Sequence, residues 1–329
     1  MQSDRAQDGL LQAAQMLLLA ACAVGAMATA TAQGINPGNP AKDAYLLPGG
    51  FEPVLQLRTY YFDQESLTGA PSAAWALGGW AGLRSPWWGD LFQAGIIGYT
   101  SQKLYGPEDK DGTKLLRPGQ QQITVLGEAF GAVRIFGQAI TGYRQLVNRP
   151  FINPQDNRMV PNTFEAYTLT GSANDVSYTG GYITKMKARQ SDSFVWMSNA
   201  AGGTGTQKGV AYAGGTWEFA KNGYVRMDEQ YTIDVFNTFY IDGKYPIAIG
   251  DKATLTLGGQ YYPQSSVGDA QTGAAIPDRN ETDVRVDYAF GKGTILEGLV
   301  ATFRYAWLHQ EGSPTATELR AYLNYAVRF

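Results

Sequence analysis

The chain has 329 residues, a formal net charge of −3 and a mean hydropathy of −0.24. The near balance of charge offers nothing that would attract nucleic acid, and the low hydropathy excludes a bundle of membrane-spanning helices. Tyr (20), Trp (7) and Gly (40) are abundant. Such a composition is compatible with strands that are apolar on one side only, including those of a membrane barrel.

The N-terminal segment predicts a secretory signal. "LLQAAQMLLLAACAVGAMATATA" is an apolar run that ends in Ala30-Thr31-Ala32, a small-x-small cleavage site. We therefore assign residues 1–32 to a signal peptide, with a membrane anchor helix as the alternative. The sole cysteine lies inside this run, in "LAAC", which also resembles a lipoprotein cleavage box. A mature chain without cysteine would form no disulfide and no thiolate metal site.

Residues 33–50, "QGINPGNPAKDAYLLPGG", are rich in Gly, Pro and Asn and predict an irregular periplasmic lead-in. From Phe51 onward, segments with the two-residue alternation of strands follow one another without a clear amphipathic helix. The predicted strands span 53–66, 72–86, 89–104, 121–135, 138–148, 162–173, 175–188, 208–219, 222–233, 236–249, 252–263, 281–290, 296–309 and 316–329.

The predicted connections largely alternate between long and short. "RPFINPQDNRMVPN" and "QSDSFVWMSNAAGGTGTQK" are long, whereas "FGQ", "GSAND" and "AKNG" are short. Long external loops and short periplasmic turns alternate in barrels of the bacterial outer membrane. The predicted strands reach the ~9–11 residues that a tilted transmembrane strand needs. We therefore expect an all-β fold over residues 51–329, an up-and-down antiparallel transmembrane barrel of about fourteen strands in the outer membrane.

The segment "TELRAYLNYAVRF" (317–329) shows the alternation clearly. Leu319 and Leu323 fall on one side, and Arg320 and Arg328 on the other. In a membrane barrel the apolar side faces lipid and the charged side faces a wet lumen, whereas in a soluble sandwich the apolar side would face inward. We expect the C-terminal strand to be recognised by the barrel-assembly machinery as well.

The same alternation predicts a lumen lined with basic residues. A cation that faced lipid at the bilayer midplane would cost ~2–4 kcal/mol, so the charged sides must face inward. There they would concentrate anions, and arginine binds carboxylates through two parallel hydrogen bonds. The predicted pore-lining residues are Arg58, Arg134, Lys185, Lys187, Arg189, Arg226, Arg285, Arg304, Arg320 and Arg328. The alternative is that these cations only fill the wall by pairing with lumen acids such as Asp283, Asp287, Glu318 and Glu128.

Several stretches resemble the OprD family of outer-membrane porins. The most specific is "YRQLVNRPFINPQDNRMVPNTFEAYTLTG" (143–171); "AAWALGGWAGLRSPWWG" and "GYTSQKLYGPEDKDG" fit the same family, and the similarity spans 51–329. The resemblance implies a monomeric or trimeric barrel with a ladder of basic residues and a third external loop folded inward. It also implies passage of small carboxylates such as aromatic acids or amino acids.

The resemblance places the inward-folded loop at residues 149–162. The constriction residues that it implies are Asn153, Asp156, Asn157, Arg158 and Asn162. Without the resemblance, these residues would be an ordinary polar loop. Family barrels have eighteen strands, so eighteen is the alternative to fourteen.

The sequence offers little for enzymatic chemistry. His309 is the only histidine and lies at the end of a predicted strand, and no G-x-S-x-G motif is present. We therefore expect no catalytic activity, no cofactor and no metal site. The expected function is that of an outer-membrane porin for passive, charge-selective diffusion of small solutes. The expected partners are outer-membrane lipid, carboxylate solutes and further copies of the chain in a homotrimer. The alternatives are a structural or adhesive barrel with a plugged lumen and a secreted β-sandwich that binds carbohydrate.

Overall fold

Antiparallel strands make up most of the chain that the structure describes. The structure, a computed structural model, describes residues 46–65, 70–203, 207–250, 252–268, 279–291 and 293–325. In these ranges no helix is both long and apolar enough to cross a membrane. The predicted signal peptide, residues 33–45 of the predicted lead-in and Arg328 lie outside the described residues.

The described residues form fifteen strands in one sheet. In chain order they are β1 (Glu52–Gln64), β2 (Ser72–Arg84), β3 (Phe92–Tyr105), β4 (Ile123–Ile135), β5 (Gln138–Gln145), β6 (Thr163–Ala173), β7 (Val176–Lys187), β8 (Val195–Trp196), β9 (Val210–Ala220), β10 (Gly223–Thr232), β11 (Phe236–Ile249), β12 (Ala253–Ser266), β13 (Arg279–Phe290), β14 (Leu299–Gln310) and β15 (Ala316–Tyr325). The helical elements of these ranges are two 3-10 turns, Pro48–Gly50 and Glu108–Lys110, and the one-turn helix α1 (Met197–Ala200).

Each long strand pairs antiparallel with the next long strand of the chain, as in an up-and-down sheet. The two-residue strand β8 pairs with the end of β7, while β9 pairs with the remainder of β7. No pairing between β1 and β15 occurs among the described residues. The prediction of about fourteen strands is confirmed, because all strands except β8 have eight residues or more.

Side-chain alternation gives the sheet two unlike faces. On one face, which we call the outer face, large apolar side chains are exposed: Leu55 is 72% exposed, Leu57 65% and Leu323 68%. These are positions that the alternation of the sequence assigns to the apolar side. A broad exposed apolar surface is rare on soluble monomers, whereas acyl chains cover it in a membrane barrel.

The opposite face, which we call the inner face, is covered by loops along the first nine strands. One apolar cluster joins side chains of β1–β4 to Leu115, Met159 and Val160, which lie on loops. A second cluster joins β6, β7 and β9 to Ile152 of a loop and Met197 of α1. The dry packing therefore lies between the wall and the loops that fold onto it, unlike the centre of a two-sheet sandwich.

Candidate functional site

The loop 149–162 lies between β5 and β6 in the chain. It crosses the inner face, where it contacts β10 and β1. At its start, Arg149 binds Asp228 of β10, with 2.6 Å between Nε and Oδ1. Near its middle, Asp156 accepts two hydrogen bonds from the guanidinium of Arg58 on β1, at 2.6 and 2.7 Å. Arginine–carboxylate pairs therefore fix the loop at its start and near its middle.

The asparagines of the loop mainly hold its own backbone. The side-chain amide of Asn162 donates to the Asn153 carbonyl at 3.2 Å, and its oxygen accepts from the Arg189 backbone at 2.7 Å. The side-chain oxygen of Asn153 accepts from the Gln155 backbone N–H at 3.0 Å. These bonds satisfy polar groups that a folded loop would otherwise bury unpaired. Asn153 and Asn162 thus shape the loop.

A group of cations surrounds the middle of the loop. The Arg158 Nε donates to the Thr113 carbonyl at 2.9 Å, and Arg189 binds the side-chain oxygen of Asn157. Burial and the neighbouring charge of Arg158 both lower the pKa of Arg189. Arg58 donates to the Arg158 carbonyl at 2.8 Å and packs over the Trp80 ring, 4.5 Å from its centroid. Arg58, Arg158 and Arg189 therefore lie close together at the middle of the loop.

Lys187 has a different environment from the other predicted pore-lining residues. Its side chain is fully buried, and its Nζ donates to the carbonyls of Pro161, at 2.9 Å, and Ala188, at 3.2 Å. It therefore fastens the end of the loop 149–162 to the end of β7. A solute in a water-filled passage could not reach it in this position.

A bulge in β7 reverses the direction of the side chains beyond it. Lys185 pairs with Glu165 and Ile183 pairs with Ala166, so Thr184 is an extra residue. The alternation rule, applied without this residue, predicts Lys185 on the inner face. The structure instead places it beside Glu165, on the face of β6 that also exposes Tyr167 to 65%. Lys185 therefore lies on the outer face.

Two further predicted cations lie singly on the inner face. The Nε of Arg226 on β10 binds Asp242 of β11 at 2.6 Å. Arg134, near the short turn after β4, binds Asp90 and lies 3.9 Å from the centroid of the Trp87 ring. Arg226 also donates to the phenol oxygen of Tyr240 at 3.5 Å. Each of the two cations therefore binds one carboxylate and contacts one aromatic side chain.

Four cations on the last five strands form a row, which we call the basic row: Lys244, Arg285, Arg304 and Arg320. Arg285 lies directly opposite Arg304, and Arg304 directly opposite Arg320. Gly258 of β12 stands between Lys244 and Arg285 in the same register. Like charges in directly opposite positions destabilise a sheet. The row therefore brings no direct benefit to folding.

Carboxylates in adjacent rows bind the three arginines of the basic row. The ion pairs are Arg285–Asp287 at 2.8 Å, Arg304–Asp283 at 2.5 Å and Arg320–Glu318 at 2.6 Å. Lys244 has no carboxylate partner among the described residues, and its Nζ lies 5.4 Å from the centroid of the Tyr224 ring. A cavity of about 430 Å³ follows the row and is lined only by residues of β10–β15.

An aromatic contact connects the loop with the wall that carries the basic row. The Phe151 ring packs edge-on against Tyr240 of β11 and Tyr262 of β12, with centroids 5.6 and 4.9 Å apart. Tyr262 lies four residues from Gly258 on the same strand and so on the same face. Phe151 therefore approaches the cavity from the side of the long loops.

Comparison with known families decides what kind of protein carries this arrangement. The model of a family described as "outer membrane porin, OprD family" matches residues 50–301, which is more than half of the chain. The chain belongs to the OprD family. It is an outer-membrane porin, a member of a family of channels and not of enzymes. No curated protein sequence matches it.

Solved structures share the fold of this OprD-family porin. A BenF-like porin from Pseudomonas fluorescens Pf-5 has a TM-score of 0.66 at 17% identity, with 79% of this chain and 68% of that chain covered. Pseudomonas aeruginosa OccD3 (OpdP) has a TM-score of 0.63 at 17% identity, covering 83% and 61%. Pseudomonas aeruginosa OpdK, solved with vanillate, has a TM-score of 0.65 at 16% identity, covering 79% and 68%. The chain thus spans only 61–68% of the length of these proteins.

Three residues of the candidate site in this OprD-family porin were not predicted from the sequence: Lys244, Arg149 and Asp228. Lys244 could have been found, because it lies two residues from Asp242 and alternation puts both on one face. Arg149 and Asp228 had no such signal. They are 79 residues apart, and nothing in either local sequence indicates the other.

Proposed function

We propose that this OprD-family porin passes small, carboxylate-bearing solutes by passive, charge-selective diffusion. The observation that carries the proposal is the basic row beside an open cavity. The side chains of Arg285 and Arg320 are 48% and 55% exposed, so a solute can reach their guanidinium groups. Their planar forks fit a carboxylate.

The ion pairs of the basic row leave it able to bind a solute. Exposed ion pairs contribute only about 0–1 kcal/mol each, so an incoming carboxylate can replace Asp287 on Arg285 at little cost. Lys244 adds a cation that no described acid neutralises. Conduction requires binding that is weak at each site and repeated over several sites. Four cations in one register row provide such a series.

We propose the loop 149–162 as the constriction of the channel. Asp156, Asn157 and Arg158 lie where the loop meets Arg58 and Arg189, and their polar groups would restrict the passage by size and charge. Asn153 and Asn162 act indirectly by holding the loop backbone. Arg134 and Arg226 extend the basic lining along the wall beyond the basic row.

The ligands of similar porins support a carboxylate as the solute. Pseudomonas aeruginosa OpdK was solved with vanillate, and Pseudomonas aeruginosa OccK2 (OpdF), 13% identical to this chain, in complex with glucuronate. Both ligands are carboxylates, one aromatic and one a sugar acid. We extend this chemical class, and neither particular solute, to the present chain.

A structural barrel with a plugged lumen is the second candidate function. It is favoured by the two apolar clusters that loops form on the inner face of β1–β9. Planar-bilayer recordings separate the two functions. A porin gives ohmic steps that prefer anions, and a plugged barrel gives none.

Liposome swelling with matched solutes tests the proposed selectivity. Glucuronate and glucose have similar size and neither crosses a lipid bilayer unaided, and glutamate and glutamine form a second pair. We expect the anion of each pair to enter several times faster than the neutral member. Equal rates within each pair, or faster entry of the neutral member, would contradict charge selection while leaving the channel itself intact.

Two finer proposals concern partners of the porin. We propose that the exposed apolar outer face allows homotrimers to form within the membrane, as the family resemblance implies. We also propose that the barrel-assembly machinery recognises the C-terminal strand, whose Leu319 and Leu323 are 62% and 68% exposed on the outer face. Crosslinking in native membranes tests the trimer, and surface accessibility after Leu323→Asp tests assembly.

A further inference from the structure

A charged cluster interrupts the apolar outer face at one end of β5–β7. Its members are Arg144, Glu165 and Lys185, and we call it the outer-face triad. The Arg144 Nε binds one oxygen of Glu165 at 3.1 Å, and the Lys185 Nζ lies 3.7 Å from the other. The neighbours of Glu165 on its strand, Phe164 and Ala166, are buried in the inner-face cluster. Alternation therefore directs Glu165 outward.

The triad lies at the end of the sheet that carries the long connections. Arg144 is the last residue but one of β5, and Glu165 is the third residue of β6. Long connections are external in outer-membrane barrels, so this end meets the outer leaflet. Tyr167, two residues from Glu165 on the same face and 65% exposed, is an aromatic residue of the kind found at the membrane–water interface.

The triad has more positive charge than its own carboxylate neutralises. Two cations share Glu165, which leaves a net charge of +1 on a surface that faces lipid. The Nη2 of Arg144 and the Nζ of Lys185 have no hydrogen-bond acceptor among the described residues; the other Arg144 donors bind Glu165 and the Leu126 carbonyl. These donors are therefore open to water or to an anionic ligand.

Aromatic rings position both cations. The Arg144 guanidinium carbon lies 4.2 Å from the centroid of the Phe194 ring, and the Lys185 Nζ lies 5.4 Å from that of the Trp196 ring. The side chains are 22% and 34% exposed. Both cations are therefore partly accessible beside the rings that they contact.

We infer that the outer-face triad binds the phosphorylated headgroup of an outer-leaflet lipid. A phosphate offers oxygen acceptors to the open donors of both cations, and its negative charge exceeds the surplus that Glu165 leaves. The acyl chains of the same lipid would lie on the exposed apolar outer face below. The inference depends on the location in the outer membrane and is independent of which solute the channel passes.

Affinity for bis-phosphorylated lipid A, measured with the purified full chain in mixed detergent micelles, tests the inference. Each cation near an anionic lipid surface contributes about fivefold in affinity, so R144Q/K185Q should weaken binding about 25-fold. Dephosphorylated lipid A should bind equally weakly to both proteins. The matched control K221Q/K252Q removes two exposed lysines from short turns at the opposite end of the sheet and should bind like the unmodified chain.

E165Q separates a lipid site from a structural ion cluster. Removal of the shared carboxylate raises the net charge of the triad, so a lipid site should bind severalfold more tightly. Weaker binding of E165Q, or equal binding of phosphorylated and dephosphorylated lipid, would overturn the inference. Complete competition by millimolar inorganic phosphate would also overturn it, because the site would then serve free phosphate. Heat-dependent gel migration confirms that each variant is folded.

Discussion

The two parts of the inner face, over β1–β9 and over β10–β15, are built differently. Over β1–β9, loops pack against the wall through two apolar clusters. Over β10–β15, the wall carries charged rows beside a cavity that no loop residue lines. The first part has a packed apolar interior, and the second is the part that we propose for the solute. A single sheet with one alternation pattern thus has two different environments on its inner face, according to whether a loop covers it.

The loop 149–162 connects the two parts. Arg149 reaches β10 and Phe151 reaches β11 and β12, while Asp156 is held on β1. These few contacts therefore set the boundary between the covered part, over β1–β9, and the open part, over β10–β15. Four sets of variants, ordered from the largest expected effect to the smallest, test whether the two parts differ as described.

Arg149→Gln should cause the largest loss of stability. The side chains of Arg149 and Asp228 are only 16% and 1% exposed, and removal of one partner from a buried ion pair costs about 3 kcal/mol. Urea unfolding in detergent measures the free energy of unfolding. The double variant R149Q/D228N should lose less than the sum of the two single variants. Additive losses would show that the two residues do not act as a pair.

R285Q/R304Q/R320Q should reverse the charge preference of the channel. The variant leaves Asp283, Asp287 and Glu318 without their cations, so the cavity becomes negative. We expect the anion-to-cation permeability ratio to fall about tenfold or more, which corresponds to about 1.4 kcal/mol. Reversal potentials in a KCl gradient report this ratio. An unchanged potential would place the ion path away from the open part.

Arg58→Lys should loosen the constriction while keeping its charge. Lysine cannot form the two parallel bonds that Arg58 makes with Asp156. Because these side chains are 23% and 38% exposed, we expect a loss of about 1 kcal/mol. The population of the released loop would rise about fivefold. Single-channel recordings should show more frequent open-level fluctuations, and an unchanged trace would show that this anchor does not control the passage.

Lys244→Gln should have the smallest effect. Lys244 has no carboxylate partner among the described residues, so its removal leaves no acid unpaired and the free energy of unfolding should not change. Anion preference should fall about twofold, which corresponds to about 0.4 kcal/mol. Lys221→Gln, in an exposed short turn, is the matched control. Equal reversal potentials in the two variants would show that Lys244 does not contribute to anion preference.

The sequence predicted the open part better than the covered part. Arg285, Arg304 and Arg320 lie on regular strands, so the two-residue alternation assigns each to the face on which the structure has it; that they line a pore stays a prediction. In β7 the same rule failed for Lys185, because the bulge at Thr184 has no recognisable sequence signature. The contacts of the loop 149–162 join residues as far apart as Arg58 and Asp156, and alternation within a strand contains no information on such pairs. Only the family resemblance indicated that this loop folds inward.

The register of the basic row has a consequence for the path of a permeating ion. Neighbours in a row lie perpendicular to the strands, and barrel strands tilt by about 40° from the membrane normal. With strands about 4.8 Å apart, each step from one strand to the next therefore advances about 3 Å along the normal. From Lys244 on β11 to Arg320 on β15, the positive charges would then be spread over about 12 Å of membrane depth. On the route that we propose, an anion would follow a helical path along the wall and exchange one cation for the next as it crosses.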